Sequence, residues 1–123
     1  MEKEEINFIN DVEIRFIIEK WLKRRGLESK YKGFDIMVDI LAYVKLNELS
    51  PKVTLFNDKV LTDYIVDKHK IKAKSIQRSL RYVTTVKNTD YIKPIELLRL
   101  AYTTLDLSDT EAYKNYKILK YGF

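Results

Sequence analysis

Three glycines and two prolines in 123 residues leave this chain few places to turn sharply or to interrupt a helix. That scarcity favours helices over a turn-rich β architecture, and apolar residues do recur at helical spacing along most of the chain. A first pattern runs from about Phe8 to Arg25, with Ile9, Val12, Phe16 and Trp21 on one stripe and Ile14, Ile18 and Leu22 widening it. Gly26 follows as a helix stop. A second helix fits Phe34 to Leu46 through Phe34, Met37, Ile40, Leu41 and Val44. Asn47 to Phe56 contains Ser50-Pro51 and reads as a loop. Asn57 or Asp58 caps a third helix to about His69, with Val60, Leu61, Tyr64 and Ile65 inward. A fourth spans about Ala73 to Val86, where Val83–Val86 is its fraying end and Asn88–Lys93 a short loop. Pro94 suits the first turn of a fifth helix reaching about Leu105. Ser108-Asp109-Thr110-Glu111 is a capping-box pattern that opens a sixth, to about Tyr121. The expectation is an all-α single domain over residues 1–123, with about six helices.

Composition removes whole classes of function. The chain has no cysteine and one histidine, His69, which excludes zinc fingers, iron–sulfur ligation, thiol catalysis and disulfide scaffolds. Gly26, Gly33 and Gly122 are scattered, so no glycine loop cradles a phosphate group. The paired acids Glu4-Glu5 and Asp109–Glu111 read as helix-start charges, and no constellation of an enzyme or a cofactor site assembles. An acidic start and the lack of any ~18-residue apolar run argue against a targeting or membrane segment. The expected location is cytoplasmic.

Charge is unevenly spread. Residues 1–19 hold two basic and six acidic side chains, whereas residues 20–33 hold six basic and one acidic. Residues 52–93 carry a net +6, more than the +5 of the entire chain. Within them, Lys68 to Arg81 holds six Lys or Arg and no acid. Such a run attracts polyanions, DNA or RNA first among them; the alternative is a solvated lysine-rich face. Lys23-Arg24-Arg25 is open to two readings, a phosphate contact or a favourable helix C-terminus.

The segment Ala73–Val86 carries the functional argument. At ~100° per residue, Ala73, Ile76, Leu80 and Val83 fall on one side, and Lys74, Gln77, Arg78, Arg81 and Thr85 on the other. Arginine can bond guanine O6 and N7 together, and glutamine can pair similarly with adenine. The short helix before it, and the tight break at His69-Lys70-Ile71-Lys72, make a helix-turn-helix at about 57–87. Base contacts are expected from Lys74, Gln77, Arg78 and Arg81. Phosphate contacts are expected from Lys59, His69, Lys70, Lys72 and Ser75.

At these residues the chain resembles the C-terminal effector domain of the bacterial sporulation response regulators, the stage zero sporulation protein A family. The resemblance rests on Lys59-Val60-Leu61 through Lys68, then Ala73, Ile76, Arg78, Leu80 and Arg81, with Lys32-Gly33-Phe34 upstream. It covers about residues 12–87, and the last two helices by pattern. The family's recognition helix reads aliphatic, Glu, Arg, Ala, aliphatic, Arg, His, where this chain has Ile76-Gln77-Arg78-Ser79-Leu80-Arg81-Tyr82. Ser75 stands where the family has an arginine, and the loop around Ser50–Phe56 is about three residues longer by alignment. These departures bear on which bases are read. The resemblance implies double-stranded DNA as partner, transcription regulation, contact with RNA polymerase, and adjacent copies of the domain on DNA. No receiver domain is expected within the chain.

A competing expectation is an all-α protein-interaction module that keeps a regulator's fold, motivated by Ser75 and Gln77. Tyr113, Tyr116 and Tyr121 could serve the core or a dimer seam.

Overall fold

The computed structural model describes residues 3–49, 58–85 and 93–122, and among these every regular element is a helix. There are seven: α1 (Lys3–Ile9), α2 (Val12–Lys23), α3 (Lys32–Asn47), α4 (Lys59–His69), α5 (Ala73–Thr85), α6 (Pro94–Thr104) and α7 (Glu111–Tyr121). The expected first helix is therefore two. Asp11 has extended backbone and accepts a hydrogen bond from the Ile14 amide, which makes it the N-cap of α2 and breaks the chain after Ile9. The break resets the helical phase. Ile9 is buried from α1, α2 buries Ile14, Ile18, Trp21 and Leu22, and Val12 and Phe16 stand 83% and 57% exposed.

Caps explain most other boundaries. Asp58 accepts from the Leu61 amide at 2.9 Å and starts α4; Asn57 lies outside the described residues. Pro94 opens α6 as expected. The last helix starts two residues later than the capping-box pattern implies, because Thr110 and not Ser108 caps it, accepting from the Tyr113 amide. The Ser108 amide is taken by Asp106 instead. The loop expected at Ser50–Phe56, Val86 and the stretch 88–92 lie outside the described residues.

The organising element is α3. Every residue from Phe34 to Val44 except Asp35 is buried, so this helix is surrounded and not merely faced on one side. Helices α1, α2, α4, α5 and α6 all pack on it. Gly33, in its first turn, meets the middle of α5 so closely that an added Cβ would lie 2.1 Å from the Ser79 carbonyl oxygen. At this crossing only glycine fits.

One carboxylate sits inside this apolar frame. Asp39 on α3 is fully buried, and three side chains converge on it: Arg15 of α2 at 2.6 Å, and Lys68 and His69 of α4 at 2.8 and 2.6 Å. Arg15 also reaches Asp35 at 2.6 Å. Burial alone would lower the Arg15 pKa, but the two carboxylates outweigh it and hold the guanidinium above its ordinary value. A charge inside a core needs such partners, and here they tie α2 and the end of α4 to α3.

Of the tyrosines on α7, Tyr116 belongs to the core. Its ring stacks edge-on to Phe8 and its hydroxyl donates to Asn47 Oδ1 at 2.6 Å. Tyr113 is half-buried beside Glu48, and Tyr121 is exposed.

Candidate nucleic-acid interface

Helix α5 is amphipathic in the manner its sequence predicts, with one exception. Ile76, Leu80 and Val83 are buried against the core, while Lys74, Arg78 and Arg81 are exposed and Gln77 is half-buried. Ala73, placed inward by the helical wheel, is exposed, because it begins the helix where the chain is still arriving from the turn. Val60 of α4 is likewise exposed. Thr84 is buried and satisfies its hydroxyl on the Leu80 and Arg81 carbonyls. Among the described residues, Lys72, Lys74, Arg78 and Arg81 are held in no ion pair. The outer face of α5 is thus a run of cations with their donors free.

Only three residues separate α4 from α5. Lys70 turns the chain by adopting the left-handed conformation, φ 54°, a position where glycine is the usual residue. Its ammonium lies 3.7 Å from Asp67, with both side chains largely in solvent. Lys72 is exposed, its carbonyl accepting from the Ser75 amide at 2.9 Å, and Ser75 is half-buried in the first turn of α5. Lys70, Lys72, Lys74 and Ser75 therefore cluster where α5 begins.

Two of the expected phosphate contacts stand apart from that cluster. Lys59 lies at the opposite end of α4, roughly 15 Å away along an 11-residue helix. It is exposed and paired with Asp63 one turn on. His69 is turned inward: its side chain is 8% exposed and Nε2 meets Asp39 at 2.6 Å. The imidazole is a core partner of a carboxylate, so its place among the phosphate contacts is withdrawn. Lys68, counted in the basic run, is also engaged with Asp39, as well as with Asn10.

The structure adds neighbours that spacing did not reveal. The turn before α3 lies along one flank of α5: Tyr31 packs edge-on against Tyr82 at 5.2 Å between ring centres. Lys32 reaches the His69 carbonyl at 3.5 Å, at the end of α4. Of the basic triplet after α2, Arg25 is committed to Trp21, its guanidinium 3.6 Å from the indole centre and bonded to the Trp21 carbonyl. Lys23 and Arg24 are exposed. The sequence did carry one sign of the buried cluster, an aspartate in the middle of the apolar run Ile36–Val44.

Among the described residues no group of three or more His, Cys, Asp or Glu could hold a metal ion, and no helix is long and apolar enough to cross a membrane. No family model, no curated protein and no solved structure matches this chain.

Proposed function

We propose that the chain is a sequence-specific, double-stranded DNA-binding transcription regulator, in which α4 and α5 act as a helix-turn-helix and α5 enters the major groove. The observation that carries this reading is the division of α5 into a buried aliphatic face and an outer face of free cations, led by a turn with two more exposed lysines. Arg78 and Arg81 would each bond guanine through O6 and N7, Gln77 would read adenine, and Lys74 would complete the base contacts. Lys70, Lys72 and Ser75, with Lys59 further along the backbone, would hold phosphates and set the register. The resemblance to the sporulation response-regulator effector domains supports the same assignment, since its residues fall on α3, α4 and α5. It brings RNA polymerase and a second copy on DNA as further partners. Val12 and Phe16, exposed on α2, favour a second reading as a protein-interaction module.

The test is a fluorescence-anisotropy titration of a labelled duplex carrying the box recognised by those regulators, and of a scrambled duplex, at ~50 and ~200 mM salt. Tighter binding to the box, falling steeply with salt, is the expected result. Equal, salt-sensitive binding to both keeps DNA as partner and assigns α5 another sequence. No binding at low salt overturns the proposal and favours the protein-interaction module.

A further inference from the structure

The turn into α3 and the first residues of that helix make no part of the helix pair, yet three contacts fix them beside that pair. Tyr31 packs on Tyr82, Gly33 lies against the Ser79 carbonyl, and Lys32 reaches the last carbonyl of α4. Tyr82 sits about 40° around the helix from Arg78, on the flank of the outer face and not at its centre. A helix some 10–12 Å across fills a major groove about 12 Å wide. Its outer tip then meets base edges, and whatever stands on its flanks meets the sugar-phosphate walls. The turn occupies such a flank.

Its chemistry suits a phosphate. Lys30 and Lys32 are exposed on either side of Tyr31. Lys30 is paired with Glu28 at 3.3 Å, the lysine exposed and the glutamate half-buried, and a pair reached by solvent in this way is worth little. Lys32 stands next to Lys70, whose backbone follows the carbonyl that Lys32 touches. Glu19 and Asp35 line the α2 side of the same cleft, and Asp35 is already bound to Arg15.

The geometry points to a second phosphate-gripping edge, formed by Lys30 in the turn before α3 and Lys32 at the first position of α3, which holds the DNA strand flanking the groove that α5 enters. This rests on the DNA-binding reading above and adds a contact made by neither helix of the pair. Such contacts carry no base information, so they strengthen binding to every sequence alike and fix the angle at which α5 lies.

The test replaces both lysines by glutamine in the full chain, which removes charge while leaving Lys32→Gln an amide donor for the His69 carbonyl. Lys114→Ala, an exposed lysine on α7, serves as a control for net charge. Affinity for the box and the scrambled duplex is measured between ~50 and ~200 mM salt, with a thermal melt of each variant. The expected result is a plot of log K against log salt shallower by about 2 for Lys30→Gln/Lys32→Gln, with equal fold-losses on both duplexes and an unchanged slope for Lys114→Ala. A slope parallel to the parent's overturns this inference while leaving the DNA reading intact. An equal change in Lys114→Ala, or a loss confined to the box, also overturns it. A parent chain that binds neither duplex removes the DNA reading and this inference together.

Discussion

Gly33→Ala puts a methyl group into the tightest crossing of the molecule. The new Cβ would lie 2.1 Å from the Ser79 carbonyl oxygen, 2.8 Å from its carbon and 3.0 Å from Val83 Cγ1, where ordinary contact begins at 3.4 Å. The obstruction is backbone in mid-helix, so no rotamer change relieves it, and α3 and α5 must part by more than an ångström. Overfilling a packed core typically costs about 1–3 kcal/mol. Alanine's better helix propensity offsets less than ~1 kcal/mol in a first turn. For a domain of this size, each kcal/mol lowers Tm by about 4 °C, so after that offset a fall of up to about 12 °C is expected in a calorimetric melt. Affinity for DNA should fall on every sequence, because α5 is displaced relative to α4. Gly122→Ala is the comparison: φ is +75° with nothing within 4 Å of the added carbon, so it meets only backbone strain of about 1–2 kcal/mol. A Gly33→Ala variant as stable as the parent, binding DNA equally well, would refute the steric argument.

Asp39→Asn leaves Arg15, Lys68 and His69 facing a neutral amide in a buried position. Breaking such a cluster on one side costs about 3–5 kcal/mol, read as a lower urea midpoint at unchanged m-value; a change below ~1 kcal/mol would contradict it. Lys70→Gly should have opposite effects in two assays. Relief of the left-handed backbone at φ 54° raises stability by about 1 kcal/mol, while loss of the ammonium weakens DNA binding and lowers the salt slope by about 1. Stability that falls would mean the turn is not strained. Arg78→Ala should leave the melt within ~0.5 kcal/mol of the parent, since the side chain is exposed. On DNA it should cost ~1–3 kcal/mol and relax preference at one base pair. Equal losses on box and scrambled duplexes would remove Arg78 from base reading.

What the sequence disclosed depended on how each helix is buried. The two faces of α5 could be read directly because one is in water and one is not: Ile76, Leu80 and Val83 against Arg78 and Arg81. For α3 periodicity is uninformative, since nearly all of its residues are inside and any phase fits equally well. The stripe Ile9–Val12–Phe16 failed for a local reason. Asp11 restarts the helix, so residues on either side of it belong to different cylinders. His69 was misplaced because its partner is 30 positions away in sequence. Nothing in the lysines around it shows that a carboxylate inside the core claims the ring. Gly33 is unremarkable in a first helical turn until α5 crosses it.

The Asp39 cluster bears on the thermodynamics of binding. It clamps Lys68 and His69, the last two residues before the turn at Lys70. The end of α4 is then held against α3, on which α5 also packs, and under the proposed function DNA would meet a surface whose ordering is already complete. Association of such a preorganised surface avoids the entropy of coupled folding. The heat-capacity change on complex formation should accordingly be modest, well short of that seen when a segment folds as it binds. Arg15, Lys68 and His69 are already engaged with Asp39, so under the proposed function they would hold α4 in place and add little to counterion release.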